Sequence, residues 1–392
     1  MAAGNYNGGN FSDNFGVVSC PAGNNVAWLK CATAFACTIS GNYGVQVDHS
    51  YWGVQGLVVS TSTAHQPCFA ATPDYNGGSQ VHHVIFANNV ANGCQAGGFI
   101  VYNEGSVSAD YVAIVGNVAY NAAQGSAGCY SGISIFEPAN SDSQSGTHIF
   151  VAGNISYGNV DPNPCAGTQP TDGEGIIFDT FNGLSYGGQT VAENNLLFAN
   201  GGRGLESLNS SAANIYFVHN STYGNNTDTS DAPTLCAEAV MNQTSKAQAD
   251  SNLLVTSAAN ACHAQTNYAA AINQGGSTDS MSNTLLYSAA GNNISISSSS
   301  AGFVLGAGNV MGTDPGLPDP RNPGAPSCAG KGNTVACMSN VIADFTPTNA
   351  AARSYGYQTP SSTPNSDPLY PKWLCNVNLP SGLITEGCAG GA

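Results

Sequence analysis

The stretch IFVAGNISYGN, running from Ile149 to Asn159, decides how this chain folds, because it is one of five versions of a single phrase. The others are VIFANNVANG from Val84, VAIVGNVAYN from Val112, TVAENNLLFANGG from Thr190 and IYFVHNSTYGNN from Ile215. Each is a short β-rich run, an Asn, a few more apolar residues and then Asn or Gly. Aligned, they put Asn89, Asn117, Asn154, Asn195 and Asn220 in one column, at intervals of 28, 37, 41 and 25 residues. Self-similarity on that scale marks a solenoid. A unit so short cannot bury a core alone, so neighbours must stack, and the recurring Asn is best satisfied by bonding to its copies in adjacent coils.

A second strand follows each of the first four phrases: GGFIVYNE from Gly97, SGISIFEP from Ser131, EGIIFDTF from Glu174 and RGLESLNS from Arg203. Gly98, Gly132, Gly175 and Gly204 align. Period-two alternation then sends Phe99/Val101, Ile133/Ile135, Ile176/Phe178 and Leu205/Ser207 inward and the intervening residues to solvent. The expected architecture is all-β, a single-domain parallel solenoid. Residues 1–50 read as an N-terminal cap, in which NNVAWLKCATAFAC from Asn24 suggests a short helix. Residues 51–310 read as the coils, and 311–392 as a Pro-rich, Cys-containing wrap.

Composition narrows the partners. Charged residues are only 8% of the 392, and the net charge is −16 with 7 basic residues, which excludes nucleic acid and anionic membrane surfaces. No run approaches the ~18–20 apolar residues of a membrane span. The chain is expected to work as a monomer. Thirteen Cys without zinc-like spacing point to an oxidising, extracellular compartment. Cys94/Cys129 on successive coils, and Cys236/Cys262, Cys328/Cys337 and Cys375/Cys388 locally, are the pairings the spacing suggests. No positively charged, apolar leader precedes Asn5, so an export signal is expected to have been removed. Asn154 and Asn220 head Asn-x-Ser/Thr sequons, but their place in the column makes them ladder residues and not glycan carriers.

Stacking the second strands at ~4.8 Å between coils gathers charge on one face. Ser131, Glu174 and Arg203 form one row; Ser134, Ile177 and Glu206 a second; Tyr102, Phe136 and Asp179 a third. Glu174, Asp179, Arg203 and Glu206 should therefore share a patch, with Asp172 and Glu137 at its edges. Tyr102, Tyr130 and Phe136 are aromatic neighbours that suit stacking on sugar faces. Arg203 is the only Arg or Lys between Lys30 and Lys246. It reads either as a salt bridge to Glu174 or Glu206 or as a cation that binds a sugar carboxylate or assists proton abstraction. Asp172 reads as a turn residue of TDGEG, or with Glu174 and Asp179 as a set of hard oxygen ligands for Ca²⁺. The same carboxylates also suit a general acid with a base or nucleophile. His82, His83, His148 and His219 read as packing or turn residues, with His83 and His148 as proton-transfer groups only if they face the groove.

The Asn-stacked coils, the DGEGIIFD phrase from Asp172, and the closing GTDPGL and ADFTPTNAAARSYG segments resemble right-handed parallel β-helix proteins of the pectate-lyase-like superfamily. The resemblance covers roughly residues 51–356 and implies a secreted enzyme acting on a polysaccharide. By resemblance to the lyases, which cleave uronate-containing glycans by β-elimination, Asp172, Glu174 and Asp179 would hold Ca²⁺ and Arg203 would be the base. The Lys expected of family nine pectate lyases is absent from this region, as are the paired-Asp motifs of polygalacturonases. A glycoside hydrolase using paired carboxylates in the same groove, and a non-catalytic glycan-binding or adhesin-like β-helix, remain as alternatives.

Overall fold

The computed structural model describes residues 1–7, 25–73, 79–125, 128–164, 170–230, 236–257, 272–274, 278–288, 297–298, 303–318, 341–358 and 368–379. Among them the chain winds through three parallel sheets of nine, ten and eleven strands. One coil shows the order: Val81–Ala87 in the ten-stranded sheet, Val90–Asn92 in the eleven-stranded sheet and Phe99–Val101 in the nine-stranded sheet. Among the described residues each strand pairs in parallel with its counterpart in the next coil, as Phe99–Val101 pairs with Ile133–Ile135. This is a parallel β-helix, wound right-handed as crossovers between parallel strands of one sheet are.

The turn between the first two strands of a coil has two residues, and the second is the ladder Asn. The first sits at positive φ: Asn88 (52°), Gly116 (66°), Gly153 (63°), Asn194 (52°) and His219 (54°). That left-handed conformation favours Gly and Asn, which is why those residues recur there. All five predicted ladder residues are fully buried. The Oδ1 of Asn154 accepts from the backbone N–H of Asn117 (2.9 Å) and its Nδ2 (3.1 Å), and Asn154 repeats the pattern onto Asn195 (2.9 and 3.0 Å). The ladder runs on through Asn252, then Thr284 and Asn309.

A second Asn ladder follows the eleven-stranded sheet. Asn159 donates to Asn200 (2.8 Å), Asn200 to Asn225 (2.8 Å), and Asn225 to Glu238 (2.7 Å). It explains three of the four aligned glycines, Gly132, Gly175 and Gly204. A Cβ at Gly132 would lie 2.4 Å from Asn159 Nδ2, and one at Gly204 would lie 2.8 Å from Asn225 Nδ2.

Three expectations change. Ala27–Lys30, expected in a helix, is a strand paired with Trp52–Gln55, and residues 1–50 contribute strands to all three sheets. Backbone at an open sheet end is satisfied most directly by another strand. Cys94 is bonded to Cys68, not Cys129, and Cys31 to Cys37; Cys129, Cys236 and Cys375 are also disulfide-bonded. Cys68 and Cys94 approach to a Cα separation of 5.5 Å on successive coils, which Cys129 on its longer loop does not need to share. Cys262, Cys328, Cys337 and Cys388 lie outside the described residues. Finally, the outward residues Ile100, Ile177 and Glu206 are buried, so the nine-stranded sheet is covered on both faces there, as parallel sheets commonly are.

The C-terminal region lies on the solenoid wherever it is described. Val341, Phe345 and Ala352 pack against Leu196, Phe198 and Leu253 of the eleven-stranded sheet. Trp373 and Leu374 pack against Ile85, Tyr111 and Ala113 of the ten-stranded sheet.

Candidate active site on the nine-stranded sheet

The strands Ile133–Phe136, Ile176–Asp179 and Leu205–Ser210 run side by side with the expected register: Ser134, Ile177 and Glu206 align, as do Phe136 and Asp179. Ile133, Ile176 and Leu205 point into the core and are fully buried. Just before each strand, Ser131, Glu174 and Arg203 form the predicted row. Glu174 uses both oxygens: Oε2 accepts from the Ser131 hydroxyl (2.7 Å) and Oε1 from Arg203 Nη1 (2.7 Å). Arg203 also reaches Glu206 Oε2 at 3.3 Å and donates to the Thr171 carbonyl at 2.8 Å.

This network is interior. Glu174 is 0%, Glu206 3% and Arg203 5% exposed. The salt-bridge reading of Arg203 therefore holds, and in a setting where desolvation makes each partner costly to leave alone. The position also explains Gly202, since a Cβ there would lie 2.6 Å from Glu174 Oε1.

Asp179 ends its strand partly exposed, with its carboxylate accepting from the Thr180 hydroxyl (2.7 Å). Burial, with the charges of Glu174 and Glu137, pushes its pKa up to about 6 against the lowering pull of that hydroxyl. Glu137 is on the neighbouring coil, and its backbone N–H donates to the Asp179 carbonyl (3.1 Å). Tyr102 and Phe136, both half-buried, continue the row that holds Asp179. Burial and the Glu174 charge also raise the Asp172 carboxyl well above the usual range, although the Thr171 hydroxyl donates to it (2.8 Å).

Asp161 is a member of the cluster that the strand alignment missed. Fully buried in a turn, it accepts from the backbone N–H of Tyr130 (2.8 Å) and of Asn163 (3.1 Å). Burial first, and then Glu174, push it up to about 6. Its only sequence signal is its place beyond the second Asn column, in a loop of irregular length. Tyr130 stands with it, its hydroxyl 2.8 Å from His65 Nδ1.

Glu174 is committed to Ser131 and Arg203, and among the described residues no three acidic, His or Cys side chains converge as a cation-holding group. His83 and His148 sit on the ten-stranded sheet and not on this face, because the residues before Val84 and Ile149 belong to that sheet's column.

No protein-family model matches this sequence, and no curated protein does either. Among solved structures, pectate lyase Pel9A aligns over 74% of this chain and 66% of its own length, at 13% identity and a TM-score of 0.50. The chain shares the parallel β-helix fold of this pectate lyase. It spans just under two thirds of that protein's length. The A-module of the mannuronan C-5 epimerase AlgE4 from Azotobacter vinelandii is more distant, at 14% identity over 80% of this chain and 88% of its own, with a TM-score of 0.37. Among the described residues no helix is long and apolar enough to cross a membrane.

Proposed function

We propose that the chain is a polysaccharide-degrading enzyme that works on the nine-stranded sheet, with Asp179 as its proton-transfer group. The observation that carries this reading is the Asp179 carboxyl itself, partly exposed and held at a pKa of about 6. A carboxyl that exchanges its proton near the working pH is what general acid catalysis needs. Glu137, one coil away, is the second carboxyl, and Tyr102 and Phe136 offer ring faces to a sugar beside them.

Hydrolysis of a weakly charged glycan suits this face best. Arg203 is held by Glu174 and Glu206, so it serves as the fixed counter-charge of the network and not as the base. With one cation among Glu137, Asp161, Asp172, Glu174, Asp179 and Glu206, the local field repels a substrate that brings its own carboxylates. β-Elimination on a uronate-containing glycan is the second reading, favoured by the likeness of fold to a pectate lyase. Calcium belongs to that second reading alone. Secretion is part of the proposal, supported by the disulfides Cys31–Cys37 and Cys68–Cys94.

The test is incubation with a panel of neutral and uronate glycans, with and without EDTA, following both new reducing ends and the absorbance of unsaturated products. Reducing ends without absorbance, insensitive to EDTA and lost in Asp179→Asn, support hydrolysis. Rising absorbance identifies elimination instead. Release of neither product across the panel counts against an enzyme and for a glycan-binding solenoid.

A further inference from the structure

The ten-stranded sheet carries a cleft of about 400 Å³ that the proposed reaction does not use. One wall is formed by His83 and Tyr111, the middle members of a column of rings built by the solenoid repeat. Tyr51 stacks on His83 (4.8 Å between centroids, 20° between planes), His83 on Tyr111 (4.7 Å, 18°), and Tyr111 on His148 (4.0 Å, 21°). Tyr51, His83 and Tyr111 all adopt positive φ, so the same backbone kink recurs in successive coils and presents each ring the same way.

The facing wall comes from residues 368–379, about 260 positions or more away from Tyr111 in the chain. That segment is pinned at both ends. The Thr147 hydroxyl donates to the Leu369 carbonyl (2.6 Å), and Asn378 accepts from the Val26 N–H (2.7 Å) while its carbonyl accepts from Trp28 Nε1 (3.0 Å). Between the pins, Trp373 stands edge-on to His83 (5.2 Å, 76°) and to Tyr111 (6.0 Å, 86°). The turn at Asp142–Thr147 closes the rim.

The lining is chemically mixed in a defined way. The Tyr111 hydroxyl donates to Asp142 Oδ1 (2.8 Å), which leaves its own oxygen and the rest of the carboxylate as acceptors. Lys372 and Asn376, both exposed, supply donors. His83 is kept neutral by burial and by its neighbour His82, with a pKa of about 4. The Trp373 indole N–H is buried with no hydrogen-bond partner among the described residues. Buried donors are rarely left unsatisfied, so an acceptor reaching this one would be bound favourably.

An aromatic wall beside closely spaced donors and acceptors of both signs matches a hydroxylated ring, and the volume lies within the range of small-molecule pockets. We propose that this cleft is a second carbohydrate-binding site, taking one or two neutral sugar units and separate from the carboxylate face of the nine-stranded sheet. It needs no turnover, so it stands or falls independently of the hydrolytic reading.

The experiment uses the full chain and four disaccharide probes: cellobiose, maltose, galactobiose and digalacturonate. Saturation-transfer NMR reports contact and tryptophan fluorescence gives the affinity. At least one neutral probe should bind with a Kd of about 1 mM. Binding should weaken at least ~10-fold in Trp373→Phe, which keeps a ring and removes the N–H, and in the doubly substituted Lys372→Ala/Asn376→Ala, and should be unchanged in Asp179→Asn. The last pair alters exposed side chains, so it keeps the test valid if Trp373→Phe fails to fold. Absence of binding by all four probes at ~10 mM, binding untouched by the cleft variants, or binding lost only in Asp179→Asn would each overturn the proposal.

Discussion

Replacing Asn154 by Ala tests the ladder at its centre. The side chain makes four hydrogen bonds: it accepts from Asn117 N and Nδ2 and donates to the Ile114 carbonyl (2.8 Å) and to Asn195 Oδ1 (3.0 Å). Truncation does not orphan all the partners equally. Asn117 Nδ2 still reaches the Phe86 carbonyl (2.9 Å), and Asn195 Oδ1 still receives the Asn154 N–H (2.9 Å). The Asn117 N–H, fully buried, loses its acceptor. One orphaned buried donor costs about 1–3 kcal/mol, and the two lost bonds donated by Asn154 Nδ2 add about 1 kcal/mol each, for a total of about 3–5 kcal/mol. At an unfolding entropy of about 2 cal/mol/K per residue, that lowers the melting temperature by roughly 4–6 °C. Differential scanning calorimetry on the purified variant measures it. A transition within ~1 °C of wild type would mean the ladder is not a stabilising element, and would refute the reasoning that reads the repeat through its Asn column.

Ile176, fully buried between Ile133 and Leu205, should cost about 2–5 kcal/mol when cut to Ala, and an unchanged denaturation midpoint would place it outside the core. Arg203→Ala should destabilise by about 3–5 kcal/mol, because it leaves Glu174 and Glu206 as uncompensated buried charges; a loss of activity with an unchanged melting curve would contradict that. His148 donates from both ring nitrogens, to Asp110 (3.0 Å) and to the Gln144 carbonyl (2.9 Å); burial lowers its pKa, but those partners outweigh it and leave it raised. Its contribution is thus complete below the unfolded value of 6.5 and lost as pH rises through the folded one. His148→Gln should accordingly lower the melting temperature more at pH ~5.5 than at pH ~9, and a pH-independent difference would count against a charged imidazole. If Asp179 is the general acid, activity should fall as pH rises through about 6, and a profile flat across that range would remove it from the role.

Much of the fold is written in the repeat. The inward placement of Ile133, Ile176 and Leu205, the alignment of Glu206 with Ile177, and the contact of Glu174 with Ser131 and Arg203 all follow from one alignment of short phrases. They could be read because strand periodicity and coil stacking are local rules applied over and over: once one Asn occupies the turn, each neighbouring coil repeats its geometry. The second Asn ladder was equally present, in Asn159, Asn200 and Asn225, each five residues beyond a first-column Asn.

What the repeat does not encode is where residues outside it go. Period two says that Ile177 and Glu206 point away from the core, but only the folded chain decides that they are covered, which turns an expected exposed cation into an interior ion network. Asp161 joins Glu174 from a turn whose length differs from coil to coil. Cys94 chooses Cys68 over Cys129 because the geometry of two particular turns brings their Cα atoms to 5.5 Å. The ring column from Tyr51 to His148 was legible as scattered aromatics and histidines, yet its His83 and Tyr111 become one wall of a cleft only when Trp373 arrives from the far end of the chain. Sequence by itself determined the spacing of the coils and the side each strand residue takes, since both are local. The tertiary structure decided burial, charge pairing and pocket formation, since each depends on segments whose separation along the chain carries no periodic signal.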